Sequence, residues 1–542
     1  MKNQLLHKVN KRLSLGSAAA LLVGVSLIGQ VLGFMRTKLV NANFPTTGPD
    51  STDAYFAAFK IPDFFFFTLA AGALGVAFIP FLSDRLSSND RKGAWELSSS
   101  LMNFMAVLML AVGLIIFAFA DQLINVVQPG LRQQSPEQFH SATTIMRFLA
   151  LNPFFFTISG ILASMQQTLG KFFFFAIAPL FYNSCIIVAA MMFSVADGRT
   201  GGPWGMGLKG LGLGAFLGAL LQLIIVALGM RAMGFKYRPK IKWQRKDFRQ
   251  ALKQLPARSI DQGIDSINSI AETRFAHQIG QGNISYYENA FTLHMVPIQL
   301  LGTSIATAAF PRMTERLSQG RPDLFRRDFL RVLRTMIWLA VPTAVVSYFA
   351  RGYLARMIFA QRDASQIAII FGFLMTAIVF RIMYSIISRW FYAQKDTKTP
   401  LLVSLFTIGL NIYLAYTLSR PWSYGVEGLA MAQSIVAAVE VVILISVMLW
   451  RDHKLFDKDF GMGLLKIFSV TGFTILSAYT MVKLLPLELT DRGPLALGSK
   501  LAAIAGVTFA IHLILSYMYG LEEANPVISK VKRLANVTIK IQ

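Results

Sequence analysis

Residues 98–120 read SSSLMNFMAVLMLAVGLIIFAFA, and none of these 23 positions carries a charge. A helix needs about 20 apolar residues to cross a bilayer, so this stretch predicts a membrane-spanning helix. Comparable windows recur along the whole chain and predict an all-α polytopic membrane protein with about 14 transmembrane helices. The windows are 14–36, 54–82, 98–120, 142–167, 172–196, 208–232, 251–278, 286–311, 333–355, 367–392, 399–418, 427–450, 462–484 and 495–519.

The composition of the 542 residues agrees with this class. Hydrophobic residues make up 54% and charged residues 15%, with a mean hydropathy of +0.52. A soluble domain carries about 25% charged residues, so a large soluble protein is excluded. The single cysteine, Cys185, excludes an intrachain disulfide and a cysteine-based metal site. The basic segment 1–12 precedes an apolar run too long for a signal peptide, which predicts a retained first span.

The net charge of +24 reports topology. Alternate loops are basic, with about 32 Lys and Arg on one side and about 8 on the other. Both termini are therefore predicted in the cytoplasm. The basic segment 236–249 also permits a lipid-headgroup or nucleic-acid patch, but a cytoplasmic linker is favoured and no nucleic-acid partner is expected.

An internal repeat predicts two lobes. Residues 77–87 (AFIPFLSDRLS) recur as residues 308–318 (AAFPRMTERLS). The repeat unit holds six spans, so both halves share one orientation and a pseudo-two-fold axis runs along the membrane normal. The expected architecture is two six-helix lobes around a central cavity, plus two extra C-terminal helices. The predicted boundaries are 1–232 for the N-lobe, 233–250 for a basic cytoplasmic linker, 251–451 for the C-lobe, and 452–542 for spans 13 and 14 with the tail.

The seventh span carries a polar stripe. At about 100° per residue, Arg258, Asp261, Asp265 and Glu272 fall within an arc of about 60°, and Asn268 widens it. Ionisable residues inside a span usually face a cavity, so this face is predicted to be wet. The excess of acids permits cation or proton coupling, and an Arg258–Asp261 structural pair is the alternative. The isoleucines are predicted on the packed side: Ile260, Ile264, Ile267 and Ile270.

The first two spans hold a second group of charges. Asp53 and Lys60 are seven residues apart and share a helical face, Asp63 follows, and Arg36 ends the first span. These four are predicted to line the cavity, with interfacial snorkelling as the alternative for Arg36 and Asp53. Glu440 in span 12 stands alone in the sequence and is interpreted as a satisfied polar contact.

Catalytic and cofactor motifs are absent from the sequence. No P-loop, no H-E-x-x-H and no Cys/His cluster occurs, and the loops are too short for a catalytic domain. The sequence therefore predicts a transporter that is not an enzyme and has no metal site and no cofactor. Coupling to Na⁺, H⁺ or the membrane potential stays open.

Several segments resemble the MurJ/MviN family of lipid II flippases. They are VLGFMR (31–36), TDAYFAAFKIPD (52–63), the end of span eight (304–318) and FYAQKDTKTP (391–400). The resemblance runs from about residue 20 to about 450. It implies translocation of the lipid-linked peptidoglycan precursor, lipid II, across the bacterial cytoplasmic (inner) membrane by alternating access. The implied partners are an undecaprenyl-pyrophosphate-linked substrate and cell-wall synthesis proteins.

The same resemblance assigns the cavity charges. Arg36 and Lys60 match family positions that contact the head group, and Asp53 matches the family's acidic residue; Asp63 and Arg258 are placed beside them. Gln30 stands where the family has Arg, and Phe64–Phe67 replace further charges. Three alternatives therefore remain: a flippase of another polyprenyl-linked oligosaccharide, a MATE-like cation-coupled antiporter using Asp261, Asp265 and Glu272, and a wall-synthesis scaffold without transport.

Overall fold

The computed structural model describes residues 15–71, 78–231, 233–359, 361–420, 423–491 and 493–529. Every regular element in these ranges is a helix, which confirms the predicted all-α class. Contacts between residues divide the chain after Ser285 into two compact units, described here one at a time. The predicted division by repeat, with a linker at 233–250, uses a different criterion and stays a prediction.

The first unit is built on a group of long apolar helices. Buried side chains of α3, α4, α8 and α10 form one core with Phe248 at the start of α11. The helix α9 packs between α1 and α10. The helices are α1 (Leu15–Asn43), α2 (Thr52–Phe66), α3 (Ile79–Ser87), α4 (Arg91–Ala118), α5 (Ala120–Val127), α6 (Leu131–Gln134), α7 (Pro136–Leu149), α8 (Asn152–Thr168), α9 (Phe173–Met192), α10 (Lys209–Arg231) and α11 (Lys246–Ile279).

The second unit begins within α12. The two helices predicted as extra spans pack here, α20 against α14 and α21 against α15. Val346, Tyr353 and Ile504 are part of the core that joins them. The helices are α12 (Asn283–Pro297), α13 (Ser304–Ser318), α14 (Pro322–Phe349), α15 (Arg351–Ile358), α16 (Gln361–Phe373), α17 (Met375–Ala393), α18 (Lys398–Leu418), α19 (Val426–Arg451), α20 (Lys458–Leu484) and α21 (Gly493–Met518).

Among the residues that the structure describes, ten helices are long and apolar enough to cross a membrane, and eleven if the bent pair α16–α17 counts as one span. The helices at the predicted spans one, two and seven are not among them. The helix α11 is not apolar enough to count as a membrane span, because polar residues interrupt its apolar stretches. The chain is thus a multi-span membrane protein, while the number 14 stays a prediction.

The repeat has a counterpart in helix geometry. A π-helical turn at Phe67–Ala71 follows α2, and a second at Ile298–Thr303 follows α12. Each turn begins ten residues before the start of its repeated segment, 77–87 or 308–318. Because π turns are rare, their recurrence at matching positions supports the internal repeat.

Candidate functional site

Asp53 lies at the beginning of α2 and is 1% exposed. Its Oδ2 accepts a hydrogen bond of 2.6 Å from the backbone N–H of Gly282. Its Oδ1 accepts two more from Ser285, at 2.8 Å from the N–H and 2.6 Å from the hydroxyl. A snorkelling carboxylate would reach water, whereas this one is enclosed and holds the segment between α11 and α12.

Lys60 lies two turns further along α2. Its Nζ donates a 2.8 Å hydrogen bond to Ser269 Oγ on α11, and the side chain is half-buried. Asp53 and Lys60, on the shared face of α2, therefore join this helix to the C-terminal half of α11 and to the segment that follows it. Each polar group on this face contacts a neighbouring element within the first unit.

Arg36, near the end of α1, contacts a different helix. Its Nη1 donates to Asn183 Oδ1 on α9 at 3.1 Å. Arg36 and the half-buried Asp63 both lie within electrostatic reach of the Tyr55 hydroxyl. We refer to Arg36, Asp53, Lys60 and Asp63 as the α2 polar cluster.

The described part of the polar stripe of α11 combines buried and exposed side chains. Asn268 and Glu272 are 9% and 5% exposed, and Asn268 Nδ2 donates to Glu272 Oε1 at 3.1 Å. Asp265 is exposed. The side chains of Arg258 and Asp261 lie outside the part of the chain that the structure describes in detail, so their pairing stays a prediction.

The isoleucine side of α11 was predicted to be packed, and this prediction is wrong at one isoleucine. Ile267 is 47% exposed, and Arg274 and Gln278 are exposed beside it, within an arc of about 40°. The reason is that α11 packs on α2 and its π turn inside the first unit. Gly263 makes this approach possible, since a Cβ there would lie 2.6 Å from Thr68 Oγ1.

The linker ahead of α11 forms an ionic cluster with α4. Glu96 pairs with Lys242 and Arg245 at 2.8 Å each and with Arg238. Asp247 pairs with Arg85 and Arg245 at 3.1 Å. Burial raises the pKa of Asp247, but hydrogen bonding by Arg245 and the charges of both arginines outweigh it and lower that pKa. Three cations of the linker thus have carboxylate partners, which sequence reasoning missed.

A second missed pair lies in the second unit. Arg381 Nη1 on α17 contacts Glu440 Oε2 on α19 at 2.9 Å, and Ser404 donates to Glu440 Oε1 at 3.0 Å. Glu440 is 3% exposed, and these contacts agree with its interpretation as a satisfied polar contact. Both residues occur in predicted spans, and that was the available signal. No group of three or more His, Cys, Asp or Glu that could hold a metal occurs among the described residues.

Comparison with known proteins decides the family. The family model described as lipid II flippase MurJ matches residues 49–490, more than half of the chain. The chain belongs to the lipid II flippase MurJ family. This confirms the resemblance seen in the sequence and makes the chain a bacterial membrane protein.

Relatives in the MurJ family cover most of the chain. The probable lipid II flippase MurJ of Rhizobium meliloti (strain 1021) is 25% identical over 542 residues, which are 97% of this chain and 98% of that protein. The probable lipid II flippase MurJ of Vibrio cholerae serotype O1 is 25% identical over 452 residues, 80% of this chain and 83% of that protein.

Solved structures share the fold. A lipid II flippase MurJ in an inward closed conformation has a TM-score of 0.75 and 22% identity, covering 92% of this chain and 98% of that one. An inward-facing multidrug resistance MATE family transporter has a TM-score of 0.63 and 16% identity, covering 81% and 98%. At these identities the likeness concerns the fold, and the MATE relation is more distant than the MurJ relation.

Proposed function

We propose that this chain translocates lipid II from the inner to the outer leaflet of the bacterial cytoplasmic membrane by alternating access, without covalent change to the substrate. The observation that carries the proposal is the family match over residues 49–490. Charged side chains placed within helices of the first unit support it, because such residues are costly in a membrane and usually serve transport.

The proposed head-group contacts are Arg36 and Lys60. A pyrophosphate is best held by cationic donors, and each of these side chains already donates to a neutral side-chain oxygen. Asp63 and Arg258 are proposed to line the same site. Asp53 is proposed to act indirectly, since its carboxylate is occupied by Gly282 and Ser285.

The basic loops support a topology in which both termini lie on the cytoplasmic side of the inner membrane. Coupling to Na⁺, H⁺ or the membrane potential is proposed to involve Asp261, Asp265, Asn268 and Glu272 of α11. No enzymatic step and no cofactor is proposed. Wall-synthesis proteins that supply or consume lipid II are proposed as partners.

A strain depleted of its own lipid II flippase tests the proposal. The chain is expected to restore growth and lipid II translocation, and Arg36→Ala and Lys60→Ala are each expected to reduce translocation about tenfold or more. Lys38→Ala, on the same helix as Arg36, is the control and is expected to behave as the unmodified chain. Insertion without rescue would contradict the proposed translocation, and full activity of both variants would contradict the assignment of Arg36 and Lys60 as head-group contacts.

A MATE-like antiporter is the second candidate, because acidic residues lie on α11 and the fold is shared with a MATE transporter. It predicts that the chain lowers accumulation of cationic drugs in a sensitised host and that Asp265→Asn abolishes this. A flippase for another polyprenyl-linked oligosaccharide would instead rescue export of that oligosaccharide while failing with lipid II.

A further inference from the structure

A cavity of about 610 Å³ lies wholly within the second unit, where α14 and α20 end and α15 and α16 begin. Its lining combines two arginines with an aromatic and aliphatic wall: Tyr348, Arg351, Arg356, Tyr479, Val482 and Leu487. The ends of α14 and α20 are remote along each helix from the basic loops 312–334 and 451–459. The cavity therefore belongs to the less basic side of the protein.

The two arginines of the cavity are held in place by backbone carbonyl oxygens, and the charge of Arg356 also lies within electrostatic reach of Asp491. Arg351 Nη1 donates to the Tyr348 carbonyl at 2.7 Å, and its guanidinium lies 4.5 Å from the centre of the Tyr348 ring. Arg356 Nη1 donates to the Glu488 carbonyl at 2.6 Å. Among the described residues, neither guanidinium has a carboxylate within ion-pair distance. The nearby Asp491 is paired with Lys500 at 2.7 Å.

The wall of the cavity is aromatic and open on one side. The rings of Phe349 and Tyr479 meet edge to face at 6.2 Å. Tyr348 and Tyr479 are 44% and 48% exposed. Tyrosines at the ends of membrane helices usually lie at the level of the lipid head groups, with their rings against the acyl region. The position suits a molecule with one charged end and one apolar end.

We propose that this cavity binds the phosphate head group of an anionic membrane lipid, with an acyl chain along Phe349, Tyr479 and Leu487. The guanidinium forks of Arg351 and Arg356 retain N–H donors that suit phosphate oxygens in a bidentate geometry. The apolar wall can contact an acyl chain but offers no contact that would favour free phosphate. Under the proposed topology the lipid belongs to the outer leaflet of the inner membrane.

The test is lipid retention by the full-length purified chain, measured by native mass spectrometry after titration with dioleoyl-phosphatidylglycerol or dioleoyl-phosphatidylcholine. The unmodified chain is expected to retain phosphatidylglycerol at least about fivefold more strongly than phosphatidylcholine. In the Arg351→Gln/Arg356→Gln variant this preference is expected to disappear, since both charge-assisted contacts are lost. The double lysine variant, which keeps the charge without the fork, is expected to be intermediate.

Arg420→Gln is the matched control, because Arg420 also stacks on a tyrosine at the end of a helix, 4.2 Å from the Tyr416 ring centre. It is expected to retain the lipid as the unmodified chain does. The proposal would be overturned if the Arg351→Gln/Arg356→Gln variant retained phosphatidylglycerol as strongly as the unmodified chain. It would also be overturned if inorganic phosphate, at about one tenth of the lipid concentration, displaced all the bound phosphatidylglycerol. Binding is measured without translocation, so failure here leaves the proposed flippase activity to its own test.

Discussion

Asp53 and Glu96 are two buried carboxylates of the first unit with opposite kinds of partner. Asp53 is held by two backbone N–H groups and a hydroxyl, and its hydrogen bonds include no cation. Glu96, 8% exposed, is held by three cations of the linker. The first arrangement fixes backbone around the beginning of α12, and the second fixes a charged loop to α4.

The difference follows from what each location permits. Enclosing a second ion beside Asp53 would add a desolvation cost that the attraction between the ions need not recover, whereas peptide dipoles add no net charge. Near Glu96 the partners remain partly in water, with side-chain exposures of 44% for Arg238 and 42% for Lys242. The buried acid surrounded by dipoles should therefore be the more important for stability.

Asp53→Ala tests this ranking with the largest expected effect. The N–H groups of Gly282 and Ser285 lose their acceptor in a closed environment, while the Ser285 hydroxyl retains Thr52 at 2.7 Å. We expect the free energy of unfolding in detergent to fall by about 3 kcal/mol. Thermal unfolding followed by tryptophan fluorescence measures it. Asp53→Asn, which keeps an acceptor oxygen, should lose about half as much; an unchanged midpoint for Asp53→Ala would reverse the ranking.

The Arg381–Glu440 pair of the second unit is the intermediate case, because a single cation faces a 3% exposed carboxylate. Glu440→Gln keeps the hydrogen bond from Ser404 but leaves Arg381 without its counter-ion. Arg381 is 31% exposed, so we expect a loss of about 2 kcal/mol rather than the larger value for a fully buried charge. The double variant Arg381→Met/Glu440→Leu should recover most of that loss, and a further loss in the double variant would contradict this interpretation.

Sequence patterns were sufficient for the helical class, the membrane location and the family. They rest on the spacing of apolar residues, on loop charge and on short segments such as 52–63, which are all local properties. The shared face of Asp53 and Lys60 also followed from a spacing of seven residues. Those features need no knowledge of which helices touch.

Partners of the charged residues could not be predicted in this way. The surroundings of α11 depend on Gly263 meeting Thr68, and these residues are far apart in sequence. Helical periodicity can place acidic residues on one stripe, but a stripe does not tell whether water or a neighbouring helix covers it. The pairs Glu96–Arg245 and Arg381–Glu440 likewise join different helices or loops, so no periodicity shows them.

Glu96→Gln sharpens the comparison from the linker side. Loss of one charge shared by three partly exposed cations should cost about 1 kcal/mol, less than at Asp53. It should also loosen the linker, and trypsin should cleave between residues 236 and 249 faster in the folded protein. The exposed Glu137→Gln is the control. Because surface ion pairs are screened, 0.5 M salt should narrow the difference from the unmodified chain; identical cleavage at low salt would show that Glu96 does not hold the linker.

Asp396, between α17 and α18, combines both kinds of partner and should give the smallest effect. It accepts from the N–H groups of Lys398 and Thr399, each at 3.0 Å, and pairs with Arg451 at 2.8 Å. Burial raises its pKa, but hydrogen bonds from Thr399 and the adjacent Arg451 outweigh this and lower the pKa from 3.8 to about 2.

A folded-state pKa below the ordinary value means that Asp396 stabilises the protein above the ordinary pKa and loses that contribution as the pH falls through about 2. At pH 7, Asp396→Asn should therefore lower the free energy of unfolding by about 1 kcal/mol and unfold at a slightly lower temperature. The difference from the unmodified chain should shrink between pH 5 and pH 2.5. A difference that grows on acidification would have the wrong sign. If 0.5 M salt closes the gap at pH 7, Arg451 supplies most of the stabilisation, as cations do for Glu96. If it does not, the N–H groups supply it, as they do for Asp53.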